Sequence, residues 1–233
     1  MPPPGYEPFL HAICANPEDD VARLVYADWL DDHGDPDRAG FIRLQVAISS
    51  SPGGVDEGHT RAEVLRKKNW DSWRSELPKL SGITWGSYFW RGFIPAVSVS
   101  TGKWLIRQRG QIFRSAPIQS VGLNDAGLAT LKSVIEIPEM ERITSLSLRH
   151  CRIREGEWHA VARCTRLIRL KRLQFDVPQL SFGRPVAPFS EEDAKEFVET
   201  PHLPQLEALH INGMVSPAAL ALLRSRFKDI KAW

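Results

Sequence analysis

The amino-acid sequence predicts a mixed α/β protein: an α-helical cap domain over residues 1–80, then a short solenoid with a parallel sheet over residues 81–233. Three observations carry this expectation. Apolar residues recur at helical spacing through the first eighty positions. Five later stretches share one apolar pattern at similar intervals. Segments able to form helices fill the gaps between those stretches.

The helical part reads element by element. Phe9, Leu10, Ile13 and Cys14 recur at helical spacing before Asn16 and Pro17. Val21, Leu24, Val25 and Trp29 mark a second helix, and Gly34 can end it in the left-handed conformation. Asp35 can cap a third helix with Pro36 at its first position, where a missing N–H costs nothing. Phe41, Leu44 and Ile48 line one face of that helix. SSSPGGVDEGH, residues 49–59, has loop composition. A fourth helix is predicted from Thr60 to Leu77, carrying Val64, Leu65, Trp70 and Trp73.

The second part is periodic. IPAVSV begins at Ile94, IQSVGL at Ile118, ITSLSL at Ile143, LKRLQF at Leu170 and LEALHI at Leu206. Each stretch is apolar at relative positions 1, 4 and 6. Position 4 falls on Val97, Val121, Leu146, Leu173 and Leu209, so successive units are 24, 25, 27 and 36 residues apart. The first three intervals suit one strand plus one helix. The fourth holds DVPQLSFGRPVAPFS, residues 176–190, an inserted loop. Helices are expected at Lys103–Arg114, Ala126–Ile137, Glu157–Cys164, Glu191–Glu199 and Pro217–Phe227.

This pattern resembles the leucine-rich repeat, L-x-x-L-x-L, most like the ribonuclease-inhibitor type with a helix on the convex side. SLSLRHCRI places Cys151 where that family uses Asn or Cys; the other units carry Gly102, Ala126, Pro178 and Met214 there. The resemblance covers residues 94–233 and implies about five repeats. PFLHAICANPEDDVARLVYADWLDDHGDPDRAGFIRLQ, residues 8–45, resembles the bacterial repeat-companion domain, a module found fused to such repeats. That resemblance implies architecture; it carries no catalytic residues across.

Composition excludes several classes. With 42% hydrophobic and 25% charged residues, the chain of 233 residues can bury a core. A formal net charge of +2 gives no sign of a polyanion partner, so nucleic acid is disfavoured. No apolar run approaches the roughly 20 residues of a membrane span. MPPPGYEPFL lacks the features of a secretory signal. Three cysteines, Cys14, Cys151 and Cys164, fit a reducing cytoplasm without a disulfide framework.

Four clusters merit weighing as sites. Asp28, Asp31, Asp32, Asp35 and Asp37 crowd residues 25–37. On a helical wheel Asp28 and Asp32 share a side with Val21, Leu24 and Val25, so a metal-dependent or acid–base centre at Asp28 and Asp32 is one alternative. Pairing with Arg43, Gln45 or backbone amides, and capping by the rest, is preferred, because no second ligand cluster is visible. Zinc at His150, Cys151, His159 and Cys164 is disfavoured, since neighbouring strand residues point to opposite faces. Five of eight tryptophans lie between Trp70 and Trp104, and they are expected to fill the joint between the two parts rather than bind a partner. Arg163, Arg166, Arg169, Lys171 and Arg172 could take an anion or nucleic acid, but a solvated edge is preferred.

The expected function is therefore a non-enzymatic, cytoplasmic protein-interaction module without cofactor or metal. Strand alternation places Ser98, Ser100, Ser120, Asn124, Ser145, Ser147, Arg149, Arg172, Gln174, Asp176, His210 and Asn212 on one concave surface for a protein partner. The loop at 176–190 is expected close enough to fold over that partner.

Overall fold

The computed structural model describes residues 3–50, 56–150, 153, 156–177, 180–181, 184–185 and 189–232. The chain divides into two compact units. The first takes residues 1–80, 85–95 and 110–118; the second takes 81–84, 96–109 and 119–233.

The first unit is built on α1 (Glu7–Ala15), α2 (Asp20–Asp32), α3 (Pro36–Ser50) and α4 (Asp56–Ser75). The Asp19 carboxylate accepts a bond from Val21 N at 2.9 Å and so caps α2. Gly34, at φ +83°, ends it. Asp35 Oδ1 accepts from Arg38 N at 3.1 Å, the cap expected for α3.

The buried stripe of α2 is Arg23, Tyr26, Ala27 and Leu30. Val21, Leu24 and Val25, the apolar residues that share a side of the wheel with Asp28 and Asp32, are all exposed, so that side is not the buried one. Arg23 can take an inward position because its two terminal nitrogens reach the carbonyls of Asp19 (2.9 Å) and Pro17 (2.6 Å). α3 is apolar on two sides. Ala39, Ile42 and Val46 join Ile13, Tyr26, Leu30 and Phe93 in one cluster. Phe41, with Leu44 and Ile48 beside it, joins Ala62, Trp73, Phe89 and Ile94 in another. The Phe41 and Trp73 rings lie 4.8 Å apart, and Phe89 meets Phe41 edge-on at 5.5 Å.

The second unit carries a seven-stranded sheet: β1 (Ile83–Trp85), β2 (Ala96–Val99), β3 (Ser120–Leu123), β4 (Ser145–Leu148), β5 (Arg172–Asp176), β8 (Ala208–Asn212) and β9 (Asp229–Ala232), in that spatial order. From β2 to β9 every neighbouring pair is parallel. Helices supply the crossovers that parallel pairing requires: α5 (Gly102–Ser115), α6 (Leu128–Ile135), α7 (His159–Ala162), α8 (Glu191–Glu199) and α9 (Pro217–Arg226). Within the insert, β6 (Leu180–Ser181) and β7 (Arg184–Pro185) form an antiparallel pair. The remaining insert positions 178–179, 182–183 and 186–188 lie outside the described residues, as do Cys151 and 51–55 of the earlier loop.

Val97, Val121, Leu146, Leu173 and Leu209 stand in one register row, and Val99, Leu123, Leu148, Phe175 and Ile211 in the next apolar row. All ten are buried. Ile94, Ile118, Ile143, Leu170 and Leu206 are buried too, but they precede the strands rather than belong to them. β9 extends the ladder by one strand that the periodicity had not predicted, with Ile230 opposite Leu209. Phe227, just before it, repeats the 1, 4, 6 spacing with its Ile230 and Ala232.

The aromatic core of this unit gathers Trp158, Phe175, Phe189 and Phe197; Trp158 and Phe175 are 4.0 Å apart. Phe189 comes from the end of the insert. Its N–H donates to Met214 O at 2.8 Å, and Ser216 N donates to its carbonyl at 3.1 Å.

Candidate functional site

The strands β2 to β5 alternate buried with half-buried or exposed residues. All-parallel sheets are usually covered on both faces; here the second face is a polar row. Ser98, Gly122, Ser147, Gln174, His210 and Lys231 stand side by side in register. A parallel row runs Ala96, Ser120, Ser145, Arg172, Ala208 and Asp229. Seven of the twelve expected contact residues therefore fall in these two rows. Asp176 and Asn212 pair one step further along. Ser100, Asn124 and Arg149 sit one residue past the strand ends.

The rows differ in relief. At the β2–β4 end they are small: a Cβ on Gly122 would lie 2.8 Å from Ser98 Oγ. Ser147 Oγ is buried there and has no hydrogen-bond partner among the described residues. At the other end the side chains are long and charged. His210 Nε2 lies 3.1 Å from Asp229 Oδ2, and Lys231 Nζ lies 3.9 Å from Asp229 Oδ1. The His210 bond, with Lys231 and Arg172 nearby, holds the Asp229 carboxyl below the usual aspartate range. Asp229 and Lys231 were not foreseen; the signal was present in the spacing of Phe227, Ile230 and Ala232.

Asp176 has a structural part as well. It accepts from Asn212 Nδ2 (3.3 Å) and from His150 N (3.0 Å), where His150 takes φ +51°. It thus ties the tips of β5 and β8 to the turn after β4.

The other clusters resolve into ion pairs and core. Arg43 binds Asp28 Oδ1 at 2.6 Å and Asp31 Oδ2 at 2.5 Å, so the partner of Asp28 on that cation is Asp31 rather than Asp32. Asp37 holds Lys68 at 2.7 Å, and that bond lowers its pKa. Among the described residues no three His, Cys, Asp or Glu side chains stand close enough to hold a metal ion. Cys164 is buried, which pushes its thiol pKa up. Arg163 pairs with Glu196 and Arg166 with Glu141, each at 2.5 Å. Trp70, Trp73 and Trp85 pack in the helical unit, Trp85 Nε1 donating to Pro78 O at 2.9 Å.

One residue that sequence reasoning passed over stands out in the helical unit. Arg38 is buried at 5% exposure and lines a pocket of about 400 Å³. Its position within the acid-rich stretch offered no signal of burial.

Among the described residues no helix is long and apolar enough to cross a membrane. Compared with models of known families, with curated proteins and with solved structures, the chain matches none of them.

Proposed function

We propose that residues 81–233 are a degenerate leucine-rich-repeat solenoid that binds a protein partner along the polar rows of its sheet, with residues 1–80 as its repeat-companion domain. The observation that supports this reading is the in-register polar row from Ser98 to Lys231, opposite a fully apolar row. Strand side chains on an uncovered face are presented at fixed spacing, which suits an extended partner segment. The small end at Ser98, Gly122 and Ser147 lets a partner backbone approach closely. The end bearing Arg172, His210 and Lys231 would give directional contacts to carboxylates. The partner is thus an extended, acidic protein segment, and the module is a non-enzymatic protein of the cytoplasm.

The test uses the full chain with a photo-crosslinking residue at Gln174 as bait. A segment crosslinked there should bind the purified chain, and Arg149→Ala with Arg172→Ala should weaken it at least about tenfold while leaving the melting temperature unchanged. Binding untouched by that pair but lost on Val21→Ser with Val25→Ser would place recognition on the exposed face of α2 and overturn the reading.

A further inference from the structure

Arg38 sits in the first turn of α3, where its backbone N–H is taken by the Asp35 cap. Its guanidinium goes inward. The guanidinium carbon lies 4.7 Å from the Trp73 ring centre, 5.5 Å from Phe89 and 5.3 Å from Phe93. Aromatic faces attract a cation, but they leave its N–H donors unmatched. Nη1 is buried and has no hydrogen-bond partner among the described residues. The nearest carboxylate, Glu76, is 4.0 Å from Nη2, beyond hydrogen-bond reach. Arg23 makes the contrast: equally buried, it spends both terminal nitrogens on backbone carbonyls. A buried, charged donor left open is expensive unless something completes it.

The space beside it is suited to that. The pocket of about 400 Å³ is lined only by residues of the helical unit. Leu10, Tyr26, Trp73, Phe89 and Ile94 make its wall apolar and aromatic. The charged or titratable lining groups besides Arg38 and Tyr26 are Tyr6, Glu7, His11, Glu76 and Arg114. This is the make-up of a small-molecule site: mostly apolar, with few polar anchors.

We infer that the helical unit binds a small organic carboxylic acid, its carboxylate forked on the Arg38 guanidinium and its apolar body against Trp73 and Phe89. A planar guanidinium matches a carboxylate in two parallel bonds. A single negative charge fits better than a phosphate dianion, because Glu7 and Glu76 already bring two carboxylates to the lining. Glu76 then acts as the competitor that partly neutralises Arg38 in the unbound chain. Burial holds its carboxyl above the usual range while Arg38 pulls it down. This site is independent of the polar face of the sheet.

The experiment titrates the full chain with phenylacetate and hexanoate, and with phenylacetamide and hexanamide as neutral matches, by calorimetry and saturation-transfer NMR. The acids should bind saturably, with the amides weaker by at least about tenfold. Glu76→Gln, which removes the competing charge, should tighten the acids several-fold and leave the amides unchanged. Arg38→Met should abolish acid binding with the circular dichroism of the wild type. If Arg38→Met fails to fold, the amide contrast and Glu76→Gln decide. Absence of acid binding, equal affinity for acids and amides, tighter binding of phenyl phosphate than of phenylacetate, or unchanged acid affinity in Glu76→Gln would overturn the assignment.

Discussion

His210 on β8 hydrogen-bonds Asp229 on β9, Nε2 to Oδ2 at 3.1 Å, and so joins the last two strands side chain to side chain. The bond holds the Asp229 carboxyl below its ordinary value. A carboxylate lowered by folding adds stability that is fully present above the unfolded value of about 3.9 and is lost as pH falls through the lower folded value. Asp229→Asn should therefore flatten the acid limb of the melting temperature below about pH 4. At neutral pH the variant should lose a little stability. Thermal melts of both proteins across that range check the sign; an acid limb identical to the wild type would refute it.

Gly92 takes φ +85°, and a Cβ there would stand 2.5 Å from Ile42 Cγ1 and 3.2 Å from Ile42 Cα. Gly34 takes φ +83° with nothing within 4 Å. Both conformations cost an L-residue about 1–2 kcal/mol, but only Gly92→Ala also overpacks the core. Urea denaturation should give about 2–4 kcal/mol for Gly92→Ala and about 1 kcal/mol for Gly34→Ala.

The Asp28–Arg43 pair lies near the surface, with the carboxylate side chain 73% exposed. A charge that water solvates this well strands nothing when its partner is cut. Asp28→Ala should cost under about 1 kcal/mol. Chemical denaturation of the variant measures this directly.

Arg226 from α9 closes the end of α8. Its Nη1 donates to the carbonyls of Phe197 (2.5 Å) and Val198 (2.7 Å), and Nη2 to Leu203 O at 3.1 Å. These are the carbonyls a helix end and its following turn leave unmatched. Arg226→Ala should cost about 2–3 kcal/mol, and Arg226→Lys should recover only part of it, since a point charge cannot reach several carbonyls as a fork does. Hydrogen exchange should localise the loss to α8 and the turn after it.

The strands were legible because burial imposes a period of two on short apolar runs, and each unit from Val97 to Leu209 keeps it. β9 escaped because Asp229 and Lys231 dilute Ile230, and because a half-buried edge strand needs less apolar surface than an inner one. In α2 the side that faces inward carries Arg23, not Val21 and Val25. Hydropathy ranks Val21 and Val25 above Arg23, yet what decides burial of an arginine is whether carbonyls await it, and Asp19 and Pro17 supply those only once the chain has turned. For α3, Phe41, Leu44 and Ile48 were found; Ile42 and Val46 face a second neighbour that a one-sided wheel cannot represent. Of the polar face, the residue set followed from alternation alone. The Asp176–Asn212 bond and the His210–Asp229 pair depend on register between distant strands.

The insert after β5 leaves and returns to a single stretch of chain. Val177 N donates to Asn212 O at 2.7 Å, and Phe189 N donates to Met214 O at 2.8 Å. Its two ends are therefore pinned close together by the sheet, whatever the chain between them contains. The entropy of closing such a loop grows only with the logarithm of its length, so doubling the segment adds about 0.6 kcal/mol. Lengthening the chain between those two anchors is thus cheap in closure entropy, while Phe189 itself is held in the core. This makes the segment a natural point for insertion, since added length leaves the two anchoring bonds at Val177 and Phe189 in place.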